Sequence, residues 1–370
     1  MARRSSKFED FSHTLDDKSK LGEAAHILVI RLSAMGDVAM LVPVLRILTS
    51  TYPNLKITLL TRRFFAPMFK DIPNVEVYEA DLSGIHQGFV GLCRLARELK
   101  ELELDAVADL HNVLRSNVLR FIFNLYRIPV KQIDKGRAEK KALTAEDNKV
   151  FKQLKSTHQR YADVFSELGY PVNLKKPSFP LKQKLSSKTL KITGANVLKW
   201  IGIAPFAQHD SKAYPLDLVE RVIREIDIEG KAEVFLFGGG KSETEKLEKL
   251  AKKFKNVVSI AGKLSFEEEL ALISHLDVML SMDSGNAHLA AMYGIPVVTL
   301  GGVTHPYAGF SAFNQPPENN LLPDLKKYSK IPTSVYGNKF PEDYKDVMRT
   351  IPPQKVVEKI NAPQPPKGEF

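Results

Sequence analysis

The sequence predicts an α/β protein made of two similar halves, each a parallel sheet covered by helices, and three observations lead there. Short apolar, often β-branched runs alternate with amphipathic stretches of helical period. The alternation starts twice, near His26 and again near Trp200. Between the two series, Gly169-Tyr170-Pro171 and a Lys- and Ser-rich stretch to Lys188 interrupt the pattern, which places a domain boundary near residue 185.

Residues 1–24 are polar and lack the apolar core of a signal peptide, so they read as a flexible leader on a cytosolic protein. The first half, 25–185, carries strand-like runs at 26–32, 56–61, 75–79 and 106–110, with helical stretches at 41–51 and 89–102 and a longer helical pattern over 147–168. The second half, 186–345, repeats the scheme with strands at 200–204, 233–237, 257–260, 278–281 and 297–300. Helices are expected there at 216–225, 243–253 and 266–275. From Pro306 to Pro353 the chain is rich in Pro, Asn and Gly, and beyond it only 354–360 reads as a helix. Residues 346–370 are expected to form that helix and a disordered end, packing back on the N-terminal half.

Composition narrows the function classes. A chain of 370 residues, 44% hydrophobic and 26% charged, is globular and long enough for two domains, and no stretch approaches the roughly 20 apolar residues of a membrane span. The single cysteine, Cys93, excludes an internal disulfide and a cysteine-rich metal site, and reads as a packing residue on a helix. Residues 1–190 carry the whole of the net charge of +10, concentrated between Lys131 and Lys188. That favours an anionic partner such as phosphorylated lipid or nucleic acid, or else marks a solvated connection. Nucleic acid is disfavoured, because no basic motif interleaved with aromatics occurs.

Four places carry chemistry. The stretch 277–302 reads as strand, turn, helix and strand, with Asp283, Ser284, Gly285 and Asn286 in the turn and His288 in the first helical turn. A helix start at the carboxyl end of a parallel strand offers free N–H groups and a positive dipole end to an anion, although Asp283 could also only cap the helix. Gly36 and Asp37 occupy an equivalent place after the first strand, where Asp37 is either a helix cap or a general base. Gly238, Gly239 and Gly240 form a turn that lets backbone approach a nucleotide, while Glu243 could accept from ribose hydroxyls or serve as a first-turn charge. Lys212, in a polar loop with His209 and Asp210, could meet a phosphate on a leaving group. The spacings match neither a P-loop nor a nucleophile elbow. Asp283 and His288 have no further ligand at metal-binding spacing, so no metal is expected.

Taken in order, these motifs resemble the family 9 glycosyltransferases, the ADP-heptose:lipopolysaccharide heptosyltransferases. The resemblance covers roughly residues 26–300 and rests on Ser-x-x-Gly-Asp at Ser33 to Asp37, Lys-x-aromatic-Pro at Lys212 to Pro215, the glycine turn with Glu243, and Asp-x-Gly-x-x-His at Asp283 to His288. It implies a GT-B fold, two Rossmann-like domains facing a central cleft, with the acceptor held by the first and the nucleotide sugar by the second. It further implies Asp37 as catalytic base, Lys212 as the diphosphate-binding lysine, and a donor site of Gly239, Glu243, Asp283, Ser284, Gly285 and His288. Ser33, Gly36, His111 and Arg115 fall on the acceptor side, where His111-Asn112 departs from the family's Gln-Gly. The implied activity is metal-independent inverting transfer of a heptose or related sugar from an ADP-sugar to a lipopolysaccharide or lipooligosaccharide core. The implied location is the cytoplasm, peripheral to the anionic inner face of the inner membrane. Competing readings are a nucleotide-sugar epimerase of the same fold and a non-catalytic nucleotide-sugar-binding protein.

Overall fold

A computed structural model describes residues 24–194 and 198–366. Nearly all of the expected leader, and the last four residues of the tail, lie outside these described residues. The first sheet contains β1 (His26–Ile30), β2 (Lys56–Thr61), β3 (Val75–Glu79), β4 (Ala106–Asp109) and β5 (Val130–Gln132), all parallel, in the order β3-β2-β1-β4-β5. Its helices are α1 (Met35–Ala39), α2 (Leu41–Thr51), α3 (Gly88–Lys100), α4 (Leu114–Leu125), α5 (Arg137–Leu143) and α6 (Thr157–Glu167).

The chain reaches the second sheet through α7 (Ser187–Thr193). That sheet holds β6 (Lys199–Ala204), β7 (Ala232–Leu236), β8 (Val257–Ser259), β9 (Val278–Met282), β10 (Val297–Leu300) and β11 (Asn320–Leu321), parallel in the order β11-β10-β9-β6-β7-β8. Around it lie α8 (Leu216–Glu229), α9 (Gly240–Ala251), α10 (Phe266–Ile273), α11 (Gly285–Ala291) and α12 (Pro353–Asn361). Two parallel sheets with a cleft between them are the arrangement that the resemblance implies.

Burial explains why the strands read as unbroken apolar runs. In β1, Ile27 and Val29 point into one core while Leu28 and Ile30 point into another, so both faces of the sheet are covered. The core holding Ile27 and Val29 continues into the second half through Ala204, Phe235, Met279 and Leu289, so the halves share packed apolar surface.

Three expectations need correcting. The long helical pattern over 147–168 shortens to α6, because Ser156 Oγ accepts from Gln159 N at 3.1 Å and starts the helix there. The chain just before it and its first residue are instead tied across to the second half, Leu154 N donating to Tyr307 O and Thr157 N to Gly309 O. Helix α12 does not return to the N-terminal half. It lies against α8, β9 and β10, with Val356, Val357 and Ile360 buried in the outer core of the second half. Finally, α11 begins at Gly285, with Ser284 as the capping position but without a side-chain cap.

In each sheet the strand order reverses once, between β1 and β4 in the first and between β6 and β9 in the second. Loops leaving the carboxyl ends of strands at such a point diverge and leave a crevice. The loop after β1 carries Ser33 to Asp37 and that after β4 carries His111. The loop after β6 carries Lys212, and that after β9 carries Asp283 and Ser284.

Candidate active site

The two switch points face each other across a cleft of about 660 Å³. From the first half it is lined by Gly36 and Asp37, and from the second by Lys212, Gly239, Glu243, Asp283, Ser284, Gly285 and His288. Ser33, His111 and Arg115 do not line it. Ser33, early in the Asp37 loop, meets His111 with Oγ and Nε2 3.4 Å apart, and Arg115 is exposed in the first turn of α4.

What brings Asp37 to the turn of Asp283 to His288 is a contact between two short helices, α1 and α11, at their glycines. A Cβ added at Gly36 would lie 3.0 Å from His288 Cδ2, and one at Gly285 would lie 2.5 Å from Met35 Cε. At Gly36 the neighbours are the buried His288 ring and the Gly285 backbone, so close approach favours glycine there, whereas at Gly285 the flexible end of Met35 could move aside.

Asp37 is not a helix cap. The capping position of α1 is Ala34, and the Asp37 carboxylate is paired with Arg31, Nη2 to Oδ2 at 2.6 Å. Arg31 is buried at the end of β1 and also donates through Nη1 to Leu110 O at 2.6 Å, which fixes its direction. Tyr161 Oη donates to the Asp37 carbonyl at 3.1 Å. Sequence reasoning missed Arg31, which reads as part of the strand expected over 26–32. An arginine six residues before a loop aspartate is the only local signal.

Behind this pair the loop after β4 is rigid. Asp109 Oδ1 accepts from the N–H groups of both His111 and Asn112 at 2.9 Å, and Asn112 takes the left-handed conformation at φ 45° while its side chain donates to Ile133 O. An asparagine fits that conformation, which accounts physically for the departure at this position. Burial and the positive charges of Arg31, Lys135, Arg62 and Arg115 push His111 down to about 3, so it is a neutral ring. Lys140 is pushed down to about 8 by burial and by Arg160. Burial is the main cause of both shifts, but Arg31, Lys135 and Lys140 all lie near enough to act on Asp37, so positive charge gathers around it.

On the donor side, Lys212 Nζ donates to Asp283 O at 2.7 Å and lies 3.5 Å from Asp283 Oδ2. Thr304 Oγ1 donates to the same carboxylate oxygen at 2.8 Å, so Asp283 braces the lysine rather than capping α11. The Lys212 loop can approach because Gly302 has no side chain: a Cβ there would fall 1.9 Å from Ser211 O. His288 is buried with Nδ1 unpartnered, and burial lowers its pKa against the opposing pull of Asp283 and Asp37. Glu243 Oε2 accepts from Gly239 N at 2.8 Å, so one oxygen shapes the glycine turn. His209 and Asp210 are not part of the cleft lining.

The cleft also contains residues the sequence did not flag. Phe310, Val335 and Tyr336 come from the Pro- and Asn-rich segment and close one side. Phe64 and Phe266 stack at 4.5 Å across the two halves. Glu269, in α10, lines the apolar wall formed with Leu264 and Phe266, and burial pushes its carboxyl up to about 7. Among the described residues no group of three or more His, Cys, Asp or Glu side chains is arranged to hold a metal ion.

A family model described as glycosyltransferase family 9 (heptosyltransferase) matches residues 92–328. The chain belongs to glycosyltransferase family 9. The matched span includes Lys212, Glu243 and Asp283 to His288, while the Asp37 loop lies before it. The chain is similar to the lipopolysaccharide core heptosyltransferase OpsX of Haemophilus influenzae, 25% identical over 321 residues, covering 84% of this chain and 87% of that one. It is 23% identical over 299 residues to lipopolysaccharide heptosyltransferase 3 of Escherichia coli, covering 78% and 85%. Among solved structures, a family 9 glycosyltransferase of Veillonella parvula superposes with a TM-score of 0.69 at 18% identity, over 92% of this chain and 97% of that one. The Escherichia coli ADP-heptose lipopolysaccharide heptosyltransferase II gives 0.63 at 18% identity, over 91% and 98%. This family 9 member is thus a glycosyltransferase with a GT-B fold, and its family membership sets aside the epimerase and binding-protein readings.

Proposed function

We propose that the protein transfers a heptose from ADP-heptose to the saccharide core of a lipid-linked lipopolysaccharide acceptor, with inversion, at the cytoplasmic face of the inner membrane. The observation that carries this reading is the α1–α11 contact, which sets the Asp37 carboxylate beside a turn where Lys212 waits at Asp283. Support for the donor comes from a relative: the Escherichia coli heptosyltransferase WaaC, 18% identical with a TM-score of 0.61, has been solved with ADP. Related lipopolysaccharide heptosyltransferases support the acceptor class.

In this mechanism Asp37, oriented by Arg31, takes the proton of an acceptor hydroxyl as that oxygen attacks the anomeric carbon. The bond to the diphosphate breaks on the opposite side of the ring. Lys212, His288 and the N–H groups at Ser284 to Asn286 stabilise the departing charge, each donor contributing on the order of 3 kcal/mol in a site that excludes water. Gly239 and Glu243 hold the nucleoside side. The electropositive surroundings of Asp37 suit an acceptor with an acidic sugar or phosphate next to the reacting hydroxyl. With Lys212 in place, the reaction needs no metal.

The test is thermal stabilisation by nucleoside diphosphates and their sugars, measured with EDTA present. ADP and ADP-heptose are expected to raise the melting temperature with UDP and GDP compounds inactive. A shift with UDP or GDP compounds alone, or one that EDTA abolishes, would overturn the donor or the metal-free reading respectively.

A further inference from the structure

Helix α4 is apolar on two sides. Its inner face buries Leu119, Ile122 and Phe123 in the core of the first half. Its outer face repeats Leu114, Val118, Phe121 and Leu125 at helical spacing, and Leu114, Phe121 and Leu125 are 80%, 64% and 66% exposed. Beside it, α3 packs directly on α4 and opens with Phe89 and Val90, 68% and 81% exposed, preceded by the exposed Ile85. An outward apolar stripe of this kind, rimmed by charge, marks an interaction surface.

The charge of the rim identifies the partner. Helix α4 has no acidic residue, its Arg115 and the following Arg127 are exposed, and its other arginine, Arg120, turns to Gln132 on β5. Along α3 the outward residues Arg94, Arg97 and Lys100 are basic, and Lys100 Nζ sits 4.8 Å over the Tyr126 ring, joining the two helix ends. Of the nearby acids, Glu98 is engaged by Tyr78 and His86 and Asp81 by the N–H groups of Gly84 and Ile85, while Glu101 and Glu103 are exposed just beyond Lys100. Apolar side chains surrounded by arginines fit a bilayer carrying anionic headgroups.

Position ties this surface to the reaction. Both helices follow parallel strands, so Phe89, Val90 and Leu114 lie at the carboxyl end of the sheet, the end that carries Asp37. The loop leading into α4 holds His111, which touches Ser33. We propose that the outer face of α4 and the start of α3 dock on an anionic lipid surface, seating Phe89, Val90, Phe121 and Leu125 in its interfacial layer. This deepens the transferase reading and rests on it for its purpose, since a lipid-linked acceptor would then emerge beside the base.

Flotation of the full chain with vesicles of phosphatidylglycerol and phosphatidylethanolamine, against phosphatidylcholine alone, tests the proposal. The parent is expected to float with the anionic vesicles only, and F121S/L125S to bind them at least tenfold more weakly. Both positions are solvent-exposed, so the variant's melting temperature and its shift with ADP should match the parent's. Equal flotation of variant and parent would overturn the proposal. So would absence of binding by the parent, or a parent dimer that F121S/L125S converts to monomer, which would make a second copy the occupant. Loss of the ADP shift with variant-sensitive flotation retained would sink the transferase reading while leaving this surface standing.

Discussion

The two strand-order reversals of this molecule share a topology and differ in how their charges are held. At the first, between β1 and β4, the charges already have fixed partners. Arg31 is clamped by Leu110 O and Asp37, and Asp109 holds two backbone N–H groups of the next loop. At the second, between β6 and β9, the cation is held mainly by a main-chain carbonyl, a histidine nitrogen is buried without a partner, and Glu269 faces an apolar wall. On the proposed mechanism, the half that aims a base is finished before substrate arrives, and the half that receives an anion keeps donors in reserve.

The most damaging way to break the comparison is at the finished side. Asp37→Asn keeps the size and the link to Arg31 but cannot take a proton, and is expected to lower kcat by a factor of about 10²–10⁴ while the thermal shift with ADP is unchanged. Full turnover in this variant would remove Asp37 from the chemistry. On the receiving side, Lys212→Ala should lower kcat by about 10²–10³ and also weaken ADP binding, because the lysine meets the diphosphate in both ground and transition states. Steady-state kinetics beside ADP titration separates the two, and an effect on kcat with ADP affinity intact would confine the lysine to the transition state.

A smaller effect sharpens the comparison through pH. Burial raises Glu269 from its ordinary 4.5 to about 7. Between those values the folded chain keeps a proton that the unfolded chain has released, so stability falls as pH rises through this window and the penalty is complete above about 7. Glu269→Gln removes it, and should stabilise the protein at pH 8 by about 1–2 kcal/mol, a few degrees in Tm, with the gain vanishing toward pH 4.5. A gain that is independent of pH would show that the carboxyl is not the cause.

Much of this fold was legible because its strands are buried on both faces. β2 and β10 occupy the residues expected, since buried Ile, Val and Leu runs between turn residues leave few alternatives, and β3, a half-buried edge strand, does so through its Val-Glu-Val-Tyr-Glu alternation. β5 and β11 were not legible: three and two residues long and only partly buried, they pair because the neighbouring edge is there. Helix α4 escaped notice for a different reason. Leu114, Phe121 and Leu125 on its outer side blur the period that its buried side would otherwise show, so its legibility was lost to the same residues that form the exposed apolar stripe.

The site divides in the same manner. Asp37, Lys212, Glu243 and Asp283 to His288 stand at strand ends, where a turn followed by a helix announces itself in sequence. The Arg31 pairing depends on side-chain direction across a loop, and Phe310 and Tyr336 come from a segment without periodicity. Such residues reach the cleft through tertiary packing, which leaves no local pattern.

The resting bond from Lys212 to the Asp283 carbonyl has a consequence for the end of the cycle. In the proposed cycle a departing nucleotide would leave the ammonium a neighbour to return to, making release an exchange of partners rather than the stranding of a charge. A grip that is strong during bond breaking can in this way also be quick to let go.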